Sequence, residues 1–305
     1  MTRSAATIAF AALLAGCAGM EVSDPAQEPV APDPVEPVVE ATGPMTIEEL
    51  REHVFDASLS IVGPLDDGPS FTAYLVAYEH AGLTLHAMVA VPRSERPEAG
   101  FPVVIANHGY VPDPRRYGIT AEGIDSRPGD YYRSVPELFT SRGFLTVIPD
   151  YRGHNSSDGF EYIDPQDDDS IAYYAEDVVA LMSALDDLDS ADLGNVFMWS
   201  HSMGGPVSLR AMLATDIVKA AAFWSTMALD DLDAYIAEFK VPTIIQHEFG
   251  DEATPFQNSQ RFHQTLRGRV ASSMNLSSGS DHYFTGEARE DAADRDVEFF
   301  RDRMD

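Results

Sequence analysis

Between Asn195 and Leu213 the chain passes from one secondary-structure period to another in a handful of residues, and that junction constrains the fold more than any other stretch. Asn195-Val196-Phe197-Met198-Trp199 is an apolar run of strand length, Pro206 to Leu213 has helical apolar spacing, and Ser200-His201-Ser202-Met203-Gly204-Gly205 joins them. A strand that enters a helix through so tight a turn needs small residues where the two backbones approach. Gly204 meets that need on one side, and Ser200 on the other is the next size up from glycine. The turn sets the hydroxyl of Ser202 at its apex, the setting of a nucleophilic serine. Taken alone, the same residues also fit a glycine-capped turn with an ordinary surface serine, so the rest of the chain has to decide.

Thr72 to Tyr78 and Leu83 to Val91 alternate apolar and polar residues around Glu79-His80-Ala81-Gly82, which predicts an antiparallel hairpin at a sheet edge. From Pro102 onward the pattern changes to continuous apolar runs: Val103 to Ala106, Phe144 to Ile148, Val196 to Trp199, Ala220 to Trp224, Thr243 to Gln246 and Val270 to Leu276. Helical segments are expected near Tyr131 to Arg142, Ile171 to Asp187, Met203 to Thr215, Leu229 to Phe239, Gln257 to Arg267 and Glu287 to Phe300. Continuous apolar strands separated by helices mean a mostly parallel sheet covered on both faces, here of eight strands. Only about 18 residues separate Trp224 from Pro242, too few for a large lid.

The N-terminus has a different purpose. Arg3 precedes the run Ala5 to Leu14, too short for a membrane-spanning helix, and residues 1–16 read as a secretory signal peptide. Leu14-Ala15-Gly16-Cys17 resembles the bacterial lipoprotein box, which implies acylation of Cys17 and a cell-envelope location, periplasmic or surface-facing; simple secretion is the alternative. Cys17 is the only cysteine, so no intramolecular disulfide can form and stability must come from the core. Residues 17–44, rich in Pro, Glu, Asp and Val, read as an acidic, extended tether, leaving 45–305 as one α/β domain. A net charge of −30 with two lysines, Lys219 and Lys240, excludes nucleic acid as a partner, since that is bound through basic patches. Asp164-Pro165-Gln166-Asp167-Asp168-Asp169 lacks the alternating ligands and glycine of a calcium loop, and no metal or other cofactor is expected.

Three further stretches carry a family resemblance: Asn107-His108-Gly109-Tyr110 after the third expected strand, Asp150-Tyr151-Arg152-Gly153-His154-Asn155-Ser156-Ser157-Asp158-Gly159 after the fourth, and Tyr174-Ala175-Glu176-Asp177-Val178-Val179-Ala180-Leu181 opening the next helix. With the serine turn after the fifth strand, the chain from Thr72 to Phe300 resembles an α/β-hydrolase of the prolyl-oligopeptidase-like and dienelactone-hydrolase-like branches. The resemblance implies a Ser-Asp-His triad in that order. A serine hydroxyl is a poor nucleophile at neutral pH, so it needs a histidine to take its proton and a carboxylate to fix the histidine's tautomer. The carboxylate should follow the seventh strand, where Asp251 stands four residues before Pro255; Glu248 and Glu252 are its rivals. The histidine should follow the eighth, where Gly279-Ser280-Asp281-His282 places His282. His108 and His154 are read as loop braces, and His201 and His247 as residues packed beside the site.

An acyl-transfer intermediate needs two donors for its oxyanion. The resemblance implies the backbone N–H of Met203 and a group of Tyr110, either its amide or its hydroxyl. Tyr117, Tyr131 and Tyr132 suggest an aromatic rim to the substrate pocket. The expected activity is hydrolysis of a small-molecule or polymeric carboxylic ester. No propeller domain precedes the hydrolase-like segment, which sets a peptidase acting on short peptides second. The other class of reading is a lipoprotein that uses the hydrolase fold for binding only.

Overall fold

A strand with no exposed face needs cover on both sides of the sheet, and such strands are the centre of this molecule. Strands β4 (Phe101–Asn107), β5 (Leu145–Asp150) and β8 (Thr243–Glu248) are buried along their whole length, and β6 (Ala191–His201) and β7 (Val218–Trp224) over most of theirs. The computed structural model describes residues 43–111, 132, 134–159, 168–228 and 234–305. The expected signal peptide, Cys17 and the tether up to residue 42 lie outside the described residues.

One sheet runs β1-β2-β3-β5-β4-β6-β7-β8-β9, with β9 at Ser272–Ser277. The pairings from β1 to β5 are antiparallel and the five from β5 to β9 are parallel. The hairpin of β2 (Phe71–His80) and β3 (Leu83–Pro92) turns through Ala81 and Gly82, whose φ values of 51° and 75° are the pair a two-residue type I′ turn requires.

The sheet has nine strands, not eight. The addition, β1 (Ser60–Pro64), lies outside the hairpin and pairs with β2 through a bulge between Ile61 and Gly63. Its five residues bury no face, and Ile61 and Val62 point to solvent, so apolar periodicity carries no trace of it. What makes it a strand is the unpaired edge of β2.

Side chains alternate across the sheet into two cores. Val103 and Ile105 of β4 enter one, lined by α1 (Ile47–Glu52), α3 (Asp168–Ser183), α4 (Gly204–Ala214) and α5 (Phe256–Leu266). Val104 and Ala106 enter the other, lined by α2 (Val135–Thr140) and α6 (Gly286–Arg301). Two helical expectations are corrected. Helix α1 was not anticipated, although Thr46-Ile47-Glu48-Glu49 spells a capping box: the Thr46 hydroxyl accepts the Glu49 amide at 3.2 Å, and Glu49 accepts the Thr46 amide at 2.8 Å. Of the helix expected over 229–239, the described residues contain only the 3₁₀ turn Ile236–Glu238.

A buried ion pair fixes the β5–α3 geometry. Arg152 puts Nη2 2.6 Å and Nε 3.0 Å from Oδ1 of Asp177, which is wholly buried, and donates its amide to Oδ2. This joins two of the stretches that carried the family resemblance.

Candidate active site

Tyr110, Ser202, Met203, Asp251 and His282, expected from sequence as site residues, follow the carboxyl ends of parallel strands. Chain order runs from β4 outward to β5 and then back across to β6, so the crevice between the ends of β4 and β6 is the sheet's switch point, where open α/β sheets take ligands. Ser202 stands there. Its φ of 55° puts an L-residue in the left-handed region, a strain of about 1–2 kcal/mol. The surroundings enforce it: the Ser202 amide donates to Trp224 O at 3.0 Å, and its carbonyl accepts the amides of Gly205 and Met227 at 3.0 and 3.1 Å.

The small residues around Ser202 have steric reasons. A Cβ on Gly204 would lie 2.2 Å from the carbonyl oxygen of Asn107, so nothing but glycine lets α4 start this close to β4. Ser200 is accommodated because its hydroxyl reaches the Ala222 carbonyl at 3.3 Å on the opposite side. A Cβ on Gly109 would lie 2.8 Å from that of Ser202, which sets the β4 loop directly against the serine and makes Tyr110 the next residue along. Met203 is the N-cap of α4, and amides in a helix's first turn have no intrahelical acceptor and gain from its dipole.

Asp251 and His282 are brought together. His282 Nδ1 is 2.8 Å from Asp251 Oδ2, so the imidazole carries its proton on Nδ1 and its basic nitrogen is Nε2. Asp251 is also held by the Ala253 and Thr254 amides on Oδ1, each at 2.9 Å, and by the Thr254 hydroxyl on Oδ2 at 2.9 Å. Burial opposes its charge, but hydrogen bonds from His247, His282 and the Thr254 amide outweigh burial and hold this carboxyl well below the usual carboxylate range.

The rivals separate clearly. Glu248 accepts the backbone amide of Asp281 at 2.6 Å, and Glu252 is exposed.

Two histidines read as packing residues do more than pack. His247 points Nε2 at Thr254 O, 2.9 Å away, and at Asp251 Oδ2, 3.4 Å away, with Ser259 Oγ 2.7 Å from Nδ1. His201 has Nε2 2.9 Å from the carbonyl oxygen of His282 and Nδ1 2.8 Å from the Tyr132 hydroxyl. Its ring centroid is 4.5 Å from that of His282, so the chain neighbour of Ser202 touches the His282 residue directly. Burial first, and the adjacent His282 second, push the pKa of His201 well below its ordinary value. Tyr132 is buried rather than part of a rim, and it serves this histidine. Tyr117 and Tyr131 lie outside the described residues. His108 stacks on Tyr151 at 4.2 Å and sits 5.0 Å from His154, as loop braces would. Among the described residues no group of three His, Cys, Asp or Glu side chains is placed to hold a metal ion.

The fold has known counterparts. Acetyl xylan esterase 1 from Thermoanaerobacterium sp. JW/SL YS485 superposes with a TM-score of 0.59 at 14% identity, covering 83% of this chain and 90% of that one. Est1E from Butyrivibrio proteoclasticus gives 0.55 at 16%, covering 75% and 98%. Dipeptidyl peptidase 4 of Porphyromonas gingivalis gives 0.57 at 17%, covering 77% of this chain but 36% of the peptidase. No curated protein sequence matches significantly. Residues 102–294, which hold the switch-point crevice and every residue discussed at it, match the family model described as alpha/beta hydrolase fold, and the chain belongs to that family.

Proposed function

We propose that this protein is a serine hydrolase that cleaves carboxylic esters through an acyl-enzyme. The observation that carries the reading is the Asp251–His282 contact at 2.8 Å, together with a serine held at positive φ on a strand-to-helix turn. In the acylation step Nε2 of His282 takes the Ser202 proton as Oγ attacks the ester carbonyl. Asp251 stays ionised and stabilises the imidazolium, and the oxyanion is received by the Met203 amide and a group of Tyr110. Collapse expels the alcohol with the proton from His282, and water repeats the sequence to release the acid.

Whole-length similarity to esterases, against a match to about a third of the dipeptidyl peptidase, supports an ester over a peptide substrate. The lipoprotein-like Leu14-Ala15-Gly16-Cys17 supports export and anchoring through an acylated Cys17. A ladder of p-nitrophenyl acyl esters beside matching anilides, assayed with the wild type and Ser202→Ala, tests the activity. The reading expects ester turnover that the variant lacks. Anilide cleavage moves the assignment to a peptidase, and the absence of Ser202-dependent turnover leaves a binding lipoprotein. Membrane pelleting that survives Cys17→Ser sinks the anchor.

A further inference from the structure

The loop carrying His282 has little apolar packing of its own until the buried Phe284; from Ser277 to Tyr283 its residues are half-buried or exposed. Its main chain is held at Ser277 and Gly279 by the amides of Phe249 and Gly250, 2.9 and 2.8 Å away, and at Asp281 and His282 by two side chains from other elements. On one side the buried carboxylate of Glu248, at the end of β8, accepts the Asp281 amide at 2.6 Å. That carboxylate lies across the loop so closely that a Cβ on Gly279 would fall 1.9 Å from its Oε2. On the other side His201, at the end of β6, meets the carbonyl of His282 at 2.9 Å.

The direction of the second contact follows from hydrogen-bond chemistry. A carbonyl oxygen only accepts, so Nε2 of His201 carries the proton. In the neutral ring Nδ1 is then the acceptor, and the Tyr132 hydroxyl 2.8 Å away donates to it. Deep burial, which disfavours the imidazolium, keeps the ring in this one tautomer. Tyr132, His201 and His282 thus form a directional chain, running from a buried phenol to the main chain of the base.

Resting on the triad reading above, we propose that His201 and Glu248 are positioning residues that clamp the Asp281–His282 main chain, so that the imidazole keeps one orientation while its Nδ1 stays on Asp251. Neither takes part in proton transfer. They act through His282, whose ring needs the main chain fixed as well as its Nδ1, because a single hydrogen bond leaves it free to pivot. A displacement of about 1 Å at a reacting group costs on the order of 10²-fold in rate.

The test uses the full chain and two readouts, kcat and KM for p-nitrophenyl acetate, and the downfield proton resonance of His282 Nδ1–H. His201→Phe keeps a ring to stack on Tyr283, which lies 5.3 Å away, but offers no N–H. The expected result is a fall in kcat of about 10²-fold with little change in KM, and a shifted or broadened Nδ1–H resonance. His201→Gln, which returns a side-chain N–H, should recover most of both. Glu248→Leu should resemble His201→Phe, and Glu248→Gln should retain most activity through its acceptor oxygen.

A kcat within threefold of wild type and an unmoved resonance in folded His201→Phe overturn the clamp; a lowered Tm alone would be ordinary stabilisation. If the wild type shows no Ser202-dependent turnover, the hydrolase reading fails, and the resonance alone then supports or overturns the clamp. Should His201→Phe not fold, Tyr132→Phe carries the same test. It removes the hydroxyl that donates to Nδ1, and a loss of up to about tenfold, one net hydrogen bond, is expected with the same movement of the resonance.

Discussion

Asp296 of α6 is wholly buried, yet the partners of its carboxylate are neutral: Trp224 Nε1 donates to Oδ2 at 2.6 Å and Gln246 Nε2 to Oδ1 at 2.9 Å. Burial dominates, the two hydrogen bonds and the more distant Arg295 and Arg142 oppose it, and the carboxyl is pushed up to about 7 from 3.8. The folded state therefore keeps a proton that the unfolded chain releases near pH 4. Between those pH values the folded state binds more protons, so stability falls as pH rises. Roughly three pH units at about 1.4 kcal/mol each give about 4 kcal/mol, fully present below pH 4 and lost above pH 7. Asp296→Asn keeps the shape and does not titrate. Urea unfolding of both proteins at steps from pH 4 to 8, followed by tryptophan emission, isolates this group, because all other titrations are shared. The wild-type advantage over the variant should shrink by about 3 to 4 kcal/mol across that range. A difference constant to within about 1 kcal/mol would falsify the assignment of a buried, neutral Asp296. The site is coupled to the turn above it, since the Trp224 carbonyl holds the Ser202 amide and the Gln246 carbonyl the Ser225 amide.

Three other outcomes are expected. Arg152→Met leaves Asp177 charged and buried, so urea unfolding at pH 7 should show a loss of about 3–5 kcal/mol, partly restored by adding Asp177→Asn; strictly additive losses would mean that the pair does not interact. Asp251→Asn turns an amide N–H toward His282 Nδ1 and favours the wrong tautomer, and ester turnover should drop by about 10⁴-fold, whereas a loss under tenfold would remove Asp251 from the triad. Gly204→Ala drives a Cβ to 2.2 Å from the Asn107 carbonyl, a backbone atom with little freedom to yield. It should cost about 3 kcal/mol in thermal or urea unfolding, and a neutral result would show that α4 can shift away from β4.

The strands that were legible in the sequence are those whose burial is total. Val103 to Ala106 has no polar residue, and a segment so short and so apolar has few places to go except the middle of a sheet. Ser60 to Pro64 is the opposite case. Its strand state comes from pairing opposite Tyr74, Leu75, Val76 and Ala77 of β2, and backbone pairing leaves no mark on side-chain pattern. The left-to-right order β5-β4-β6 is likewise invisible to periodicity, which counts strands without placing them. The structure supplies it.

The same division runs through the site. Ser202, Asp251 and His282 each sit in a stretch whose local spacing marks them. Tyr132, His201 and Glu248 have no local mark, because their partners lie 69, 81 and 33 residues away. Residue type says what a group can do; its partners decide which charge it carries while doing it. Asp251 is ionised because N–H and O–H donors from Ala253, Thr254, His247 and His282 converge on it, whereas Asp296 is more deeply buried, has two neutral donors, and is pushed up to about 7. His201 is buried between a phenol and a carbonyl, and neither rewards a positive charge as a carboxylate would. His282 instead has its Nδ1 2.8 Å from the Asp251 carboxylate. Two adjoining imidazoles thereby have opposite settings, one against a carboxylate and one between a phenol and a carbonyl, a distinction set by three-dimensional partners and absent from the letters His201 and His282 themselves.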